Sequence, residues 1–206
     1  MAKRKNSTAG KMSIDDMRKM INKAAGMDVA HNLEKENPTD VKEWIPTGST
    51  WLDSIIKKGI KAGIPIGKVT ELAGLESTGK SYMALQIAAN AQRMGITVVY
   101  FDSESAIDSK FVEAIGVDVS KMIYIQPPSV EFVLQTIENL LESSEDRMLF
   151  IWDSLALTPA LSDVEGDFNP NSSMAVKARV LSKGMQKLMI PIAVSQSTLL
   201  VLNQLK

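Results

Sequence analysis

The chain has 206 residues, no cysteine, a single histidine and a formal net charge of −1, a size that allows one sizeable core and a short appendage. The missing thiols exclude disulfides, zinc clusters and thiol catalysis, and His31 alone can build neither a histidine triad nor a histidine metal site. A charge so near zero argues against a generally basic nucleic-acid binder, so any DNA contact must use a local patch or a repeated assembly. Apolar runs such as MLFIW and TLLVL are far shorter than the roughly 18 residues that span a bilayer, and MAKRKNSTAGK holds no apolar segment for a signal peptide. No membrane partner and a cytoplasmic location are expected.

Residues 1–10 read as a flexible basic tail, with Lys3, Arg4 and Lys5 near its tip. Ser13 is a good N-cap for IDDMRKMINKAA, where Ile14, Met17, Ile21 and Ala24 recur at helical spacing before Gly26 ends the helix. Residues 28–43 are charged, contain Pro38 and read as a linker, and His31 within them reads as a plain surface residue. A compact domain is expected over 44–206.

Within that domain strand-like and helical runs alternate. KVTELA is followed by a helix through MALQIAANAQRM, TVVYFD by a helix from Ser109 to Ile115, and MIYI by a helix over VEFVLQTIENLL. MLFIWD, a helix from about Met174 to Leu188, and TLLVLN complete the series. Such alternation predicts an α/β fold with a mostly parallel sheet and crossover helices. Two stripes, Met83/Ile87/Ala91/Met94 and Met174/Ala178/Leu181/Met185/Leu188, are read as core-facing.

The segment GLESTGKS, Gly74 to Ser81, matches the phosphate-loop pattern G-x-x-x-x-G-K-[ST], between a strand and a helix as that motif requires. The bare pattern arises by chance in about 1% of chains this long, and the strand and helix around it lower that several-fold. Gly74 and Gly79 let the loop Leu75, Glu76, Ser77, Thr78 wrap a phosphate with its N–H groups. Lys80 is placed to reach the β and γ phosphates and Ser81 to offer its hydroxyl to Mg²⁺, so ATP and Mg²⁺ are the expected ligands. MLFIWD ends in Asp153, as a buried strand delivers a carboxylate to a magnesium shell, although a strand can also end in Asp as a helix cap. VVYFD ends at Asp102 with Glu104 just beyond, and Glu104 is either the base that orients the attacking water or a surface loop acid.

Read together, IPTGSTWLDSIIKKGIKAGIPIGKVTELAG, GLESTGKS, YFDSESAID, GVDVSKMIYIQP, IWDSLALTPALSDVEGD and LVLNQLK resemble the RecA family of recombinases, bacterial RecA and its phage relatives, over roughly residues 44–206. The resemblance implies a RecA-like phosphate-loop NTPase core and a DNA-dependent ATPase that forms a helical filament on single-stranded DNA and exchanges strands with a duplex. It makes Glu104 the catalytic glutamate and Gln204 the glutamine that senses the γ-phosphate. It also has Asp108 and Phe111 contact the adenine, although Asp108 can equally cap the following helix. SDVEGDFNPNSSMAVKAR resembles the family's first DNA-binding loop, with Met174 wedging between bases and Arg179 on the backbone, and Ser172 or Ser173 can cap the helix after it. Arg179, Lys183 and Lys187 recur at i, i+4 and i+8, which is also the spacing of an ordinary solvated face. The N-terminal helix resembles the family's subunit-docking helix. The alternatives are a non-hydrolysing accessory protein or inactive fragment of RecA type, or a related hexameric helicase or clock-type ATPase. Because the family's core continues beyond a strand like TLLVLNQ, the C-terminal part of the core is expected to be absent here. That strand is then expected to leave an edge and an apolar face unpaired, with a second polypeptide as one source of the remainder.

Overall fold

The computed structural model describes residues 12–26, 28–35, 40–57, 62–105, 107–165 and 174–205. The chain divides into two compact units, with the boundary between Asp40 and Val41.

The first unit is built on helix α1 (Ile14–Ala25), capped by the Ser13 side chain on the Asp16 N–H and closed by Gly26 in the left-handed region. Both ends lie where the capping residues place them. None of its side chains is buried, and Ile14, Met17 and Ile21 stay exposed. After Gly26 the chain returns along the helix because the Asn22 side-chain Oδ1 accepts from the N–H groups of Val29 and Ala30. His31, expected as a plain surface residue, is half-buried in that return segment.

The second unit begins with a short antiparallel pair, β1 (Trp44–Ile45) and β2 (Ile64–Pro65), around helix α2 (Thr50–Ile56). Asp53 of α2 is buried and accepts from both the N–H and the hydroxyl of Thr47, which fastens the helix to the chain entering it. The main sheet is parallel, in the order β3-β7-β6-β4-β5. Its strands are β3 (Val69–Gly74), β4 (Thr97–Asp102), β5 (Met122–Ile125), β6 (Met148–Asp153) and β7 (Thr198–Gln204). Helices α3 (Lys80–Arg93), α4 (Ser109–Ile115), α5 (Val130–Ser143), α6 (Leu161–Glu165) and α7 (Met174–Val194) join them.

Period-two alternation gives β4, β6 and β7 two apolar faces, each feeding a different core. Val98, Tyr100, Leu149, Ile151, Leu200 and Leu202 pack with α3 and α4 residues such as Leu85, Ile87 and Val112. Val99, Phe101, Phe150, Trp152, Leu199 and Val201 pack with Val133 and Ile137 of α5 and with Leu188 and Ile192 of α7. Both faces of the sheet are thus covered.

Three expectations change. TLLVLNQ is not a free edge: β7 pairs with β3 on one side and β6 on the other, so among the described residues the sheet's edges are β3 and β5. Helix α7 runs past Leu188 to Val194, through Pro191, because Ile192 is fully buried against the sheet and that packing outweighs one lost helical N–H. Ala178, placed in the core stripe, is exposed, since α7 meets the core through Leu181, Met185, Leu188 and Ile192.

Helices α5 and α7 touch where α7 has no side chain. A Cβ on Gly184 would lie 2.4 Å from Leu134 Cδ1. Gly184→Leu is therefore expected to overpack this contact and cost about 1–3 kcal/mol, read as a lower urea midpoint. An unchanged midpoint would show that the two helices have slack here.

Candidate functional site

The strand order places a crevice at the carboxyl edge of the sheet. From β4 the chain goes outward to β5 through α4 on one face, while from β6 it goes the other way to β7 through α7 on the opposite face. Loops leaving β4 and β6 diverge, and ligands of open α/β sheets bind at such a point. Here the crevice is a cleft of about 520 Å³ lined by Glu76 to Tyr82, Glu104, Phe111, Asp153, Leu157 and Gln204. A second cleft, of about 400 Å³ between Gln92, Thr97, Lys121 and Ile123, lies at the opposite, amino edge of the sheet and contains no carboxylate or glycine-rich loop.

The loop from Leu75 to Gly79 connects β3 to the first turn of α3. Gly79, at the N-cap with φ 86°, takes a left-handed conformation that a side chain would strain. The Thr78 hydroxyl closes the turn on the Leu75 carbonyl, and the Lys80 ammonium donates to the Gly74 and Leu75 carbonyls, so it lies along the loop itself. α3 thus presents its unpaired N–H groups and its positive dipole end to the cleft.

Ser81 and Asp153 are 72 residues apart in sequence, yet the serine hydroxyl donates to Asp153 Oδ2 at 2.6 Å. The donor set is all oxygen, which suits a hard cation. Among the described residues no cluster of three or more His, Cys, Asp or Glu side chains could hold a metal ion. One carboxylate and one hydroxyl leave the remaining positions to water and phosphate oxygens, the usual arrangement for magnesium beside a bound phosphate, so the residues present fit that ion.

Glu104 lies at the mouth, exposed, and its Oε1 accepts from Ser154 Oγ at 3.3 Å and from Gln204 Nε2 at 3.2 Å. The end of β7 is thereby joined to the loop after β4. Asp102, buried, is occupied in shaping that loop: it accepts from the N–H groups of Glu104 and Ile107 and from the Tyr124 hydroxyl. Burial, and then the Asp102 carboxylate, raise the Tyr124 phenol above its ordinary value, which keeps it a donor.

Phe111 lines the cleft beside Tyr82, their ring centroids 6.3 Å apart. Asp108 is outside the lining, and its carboxylate caps α4 on the Lys110 N–H. Arg179 and Lys183 are exposed on α7, while Lys187 is ion-paired with Glu138 of α5 at 2.6 Å, so the basic stripe is shorter than its spacing implied. Residues 166–173 and the Met174 side chain, which carry the DNA-loop reading and the Ser172 or Ser173 cap, lie outside the described residues.

Sequence reasoning missed Tyr82 and Leu157 in the cleft wall, the buried Ser154 that donates to Glu104, and Tyr100, which donates to Asp153. Tyr100 had a usable signal: two residues before Asp102 on a strand, it must share that residue's face. Its hydroxyl donates to Asp153 Oδ2 at 2.7 Å. Burial first, and then the Asp153 and Asp102 carboxylates, raise this phenol well above its ordinary value.

A parallel sheet whose carboxyl edge meets a glycine-rich loop, a serine–aspartate pair and a loop glutamate defines a phosphate-loop α/β protein of RecA-like core. The family described as the RecA N-terminal domain matches residues 12–206, and the chain belongs to it. A protein RecA of Fusobacterium nucleatum is 32% identical over 194 residues, covering 94% of this chain and 50% of that protein. The protein RecA of Streptomyces avermitilis is 34% identical over 171 residues, 83% of this chain and 44% of the relative. For that of Wolbachia pipientis the identity is 34% over 194 residues, 94% and 53%. The chain spans about half the length of the curated relatives it matches.

The segments leaving β4 and β6 are tied together by Thr158. Its buried hydroxyl accepts from the Trp152 indole at 2.7 Å and donates to the Ser154 carbonyl, which leaves Ser103 Oγ to donate to it. Thr158→Val keeps the shape but strands the buried indole N–H, at an expected cost of about 1–3 kcal/mol in urea unfolding. A variant as stable as the parent would show that the indole finds another acceptor.

Proposed function

We propose that the chain is the nucleotide-binding part of an ATP-dependent DNA recombinase, which binds single-stranded DNA as a helical filament and promotes pairing and strand exchange with a homologous duplex. The observation that carries this reading is the convergence of the phosphate loop, Asp153, Glu104 and Gln204 on one cleft from four separate strands and their loops.

In this reading the N–H groups of the loop Glu76 to Gly79 and the α3 N-terminus hold the phosphates, and Lys80 turns from its own loop carbonyls to the β and γ phosphates. Phe111 supplies a face for the adenine, and Asp108 completes that end of the site. Ser81 and Asp153 hold the magnesium ion, which when bound neutralises charge on the phosphate oxygens. Glu104 orients and deprotonates the attacking water. With Ser154 and Gln204 both donating to Oε1, the other carboxylate oxygen has no side-chain donor among the described residues and is the one available as a base. Gln204 sits on that carboxylate, which supports its role as the link between nucleotide state and the DNA-binding surface.

That surface is read as the loop before α7 with Met174 and Arg179, supported by the exposure of Arg179 and Lys183. Filament contacts are assigned to α1, whose apolar residues are all outside any core. A cytoplasmic location agrees with the finding that no helix among the described residues is long and apolar enough to cross a membrane.

Lys80→Ala is expected to abolish tight ATP binding or turnover, and unchanged affinity and hydrolysis would remove the phosphate-loop assignment. Glu104→Gln is expected to bind nucleotide but hydrolyse it about 10²-fold more slowly or worse in a single-turnover assay, whereas parent-like rates would leave Glu104 merely structural.

Affinity for single-stranded DNA is expected to fall with salt, and Arg179→Ala to weaken it and reduce the salt slope by about 1. Crosslinks that map elsewhere, with no effect of the substitution, would move the DNA site off α7.

A further inference from the structure

Strands β4 and β6 run side by side with Tyr100 opposite Ile151 and Asp102 opposite Asp153. Asp153 is thus the diagonal neighbour of Tyr100 on the same face, about 7–8 Å away across the backbone, a gap that a phenol can cross. The Tyr100 ring is fully buried in the core beneath α3, and its hydroxyl reaches Asp153 Oδ2 at 2.7 Å. The Ser81 hydroxyl donates to that same oxygen at 2.6 Å. Among the described residues no side chain donates to Oδ1.

Packing alone does not ask for this hydroxyl, since a phenylalanine would fill the same volume. What the hydroxyl adds is a second donor to Asp153 that comes from the sheet rather than from the phosphate loop. A carboxylate only 6% exposed would otherwise depend on Ser81, the one partner that a bound cation would draw away.

Resting on the nucleotide reading above, we propose that Tyr100 is a positioning residue for the divalent-metal site: it anchors Asp153 Oδ2 independently of Ser81, so the carboxylate keeps its orientation when the serine hydroxyl is engaged by the metal. Partners behind a metal ligand act in this way, and their loss commonly weakens metal binding about 10–100-fold. Tyr124 provides an internal control. It makes the same phenol-to-carboxylate bond one strand over, to Asp102, which also accepts two backbone N–H groups and is not placed at the metal.

The test is a magnesium titration of the wild-type chain, Tyr100→Phe and Tyr124→Phe at a fixed concentration of a fluorescent ATP analogue, with binding in EDTA measured beside it. Tyr100→Phe is expected to raise the magnesium concentration at half-saturation by about tenfold or more while metal-free binding stays within about twofold of the parent. Tyr124→Phe is expected to leave the half-saturation point where it is. A Tyr100→Phe curve that overlays the wild type overturns the proposal, as does an equal shift in both variants, which would mark a general loosening of the sheet. A wild-type chain that binds the analogue neither with nor without magnesium overturns the nucleotide reading itself, and this proposal with it. In case Tyr100→Phe does not fold, the wild-type protein supplies a second readout: magnesium added to the nucleotide-bound chain is expected to perturb buried-tyrosine absorption, because it changes the charge that the phenol's acceptor presents. A flat difference spectrum overturns the proposal.

Discussion

The carboxyl end of β6 is the constraint on which the remaining structure depends. Met148 to Asp153 are buried at every position, so the strand needs a neighbour strand on each side for its backbone groups and a helical layer on each face for its side chains. β4 and β7 supply the first, and α3 and α4 against α5 and α7 supply the second. A strand so enclosed can carry a carboxylate only at its end, where the sheet opens. There Asp153 still requires donors, and it receives them from Ser81 in front and Tyr100 behind.

The same end organises the loops. Ser103 donates its N–H to the Asp153 carbonyl, Leu155 to the Leu202 carbonyl, and Leu205 to the Gly74 carbonyl. The chain is thus fastened to an adjacent strand within two residues of leaving β4, β6 and β7, and Gln204, at the end of β7, meets Glu104 just beyond β4. The residues that line the cleft are in this way carried on the carboxyl edge of the sheet and on loops anchored to it.

The two aspartates that end β4 and β6 are register partners but have different occupations. Asp102 is consumed by backbone N–H groups and by Tyr124, so it shapes the loop that carries Glu104. Among the described residues the side-chain donors to the Asp153 carboxylate are both hydroxyls, from Ser81 and Tyr100. Identical side chains at neighbouring strand ends thus receive different donors, backbone N–H groups and a phenol at Asp102 but two hydroxyls at Asp153, because of what surrounds them and not because of their own chemistry.

Much of this was readable from local pattern. The caps of α1, the spans of β4, β5, β6 and α4, and the phosphate loop between a strand and a helix all follow from short-range rules: a serine oxygen on an N–H three residues on, alternation on a strand, glycines where φ must be positive. Glu104 and Asp153 stood out because each follows an apolar strand. What local pattern could not supply was the order of the strands. It enclosed β7 between β3 and β6, made β3 an edge, brought Gln204 onto Glu104, and set Tyr100 beneath Asp153. Lys187 was likewise drawn from an apparent basic stripe by Glu138 on another helix. These outcomes depend on pairing between segments 49 to 130 residues apart, whose energies are decided by the burial available to the whole sheet rather than by any residue's near neighbours.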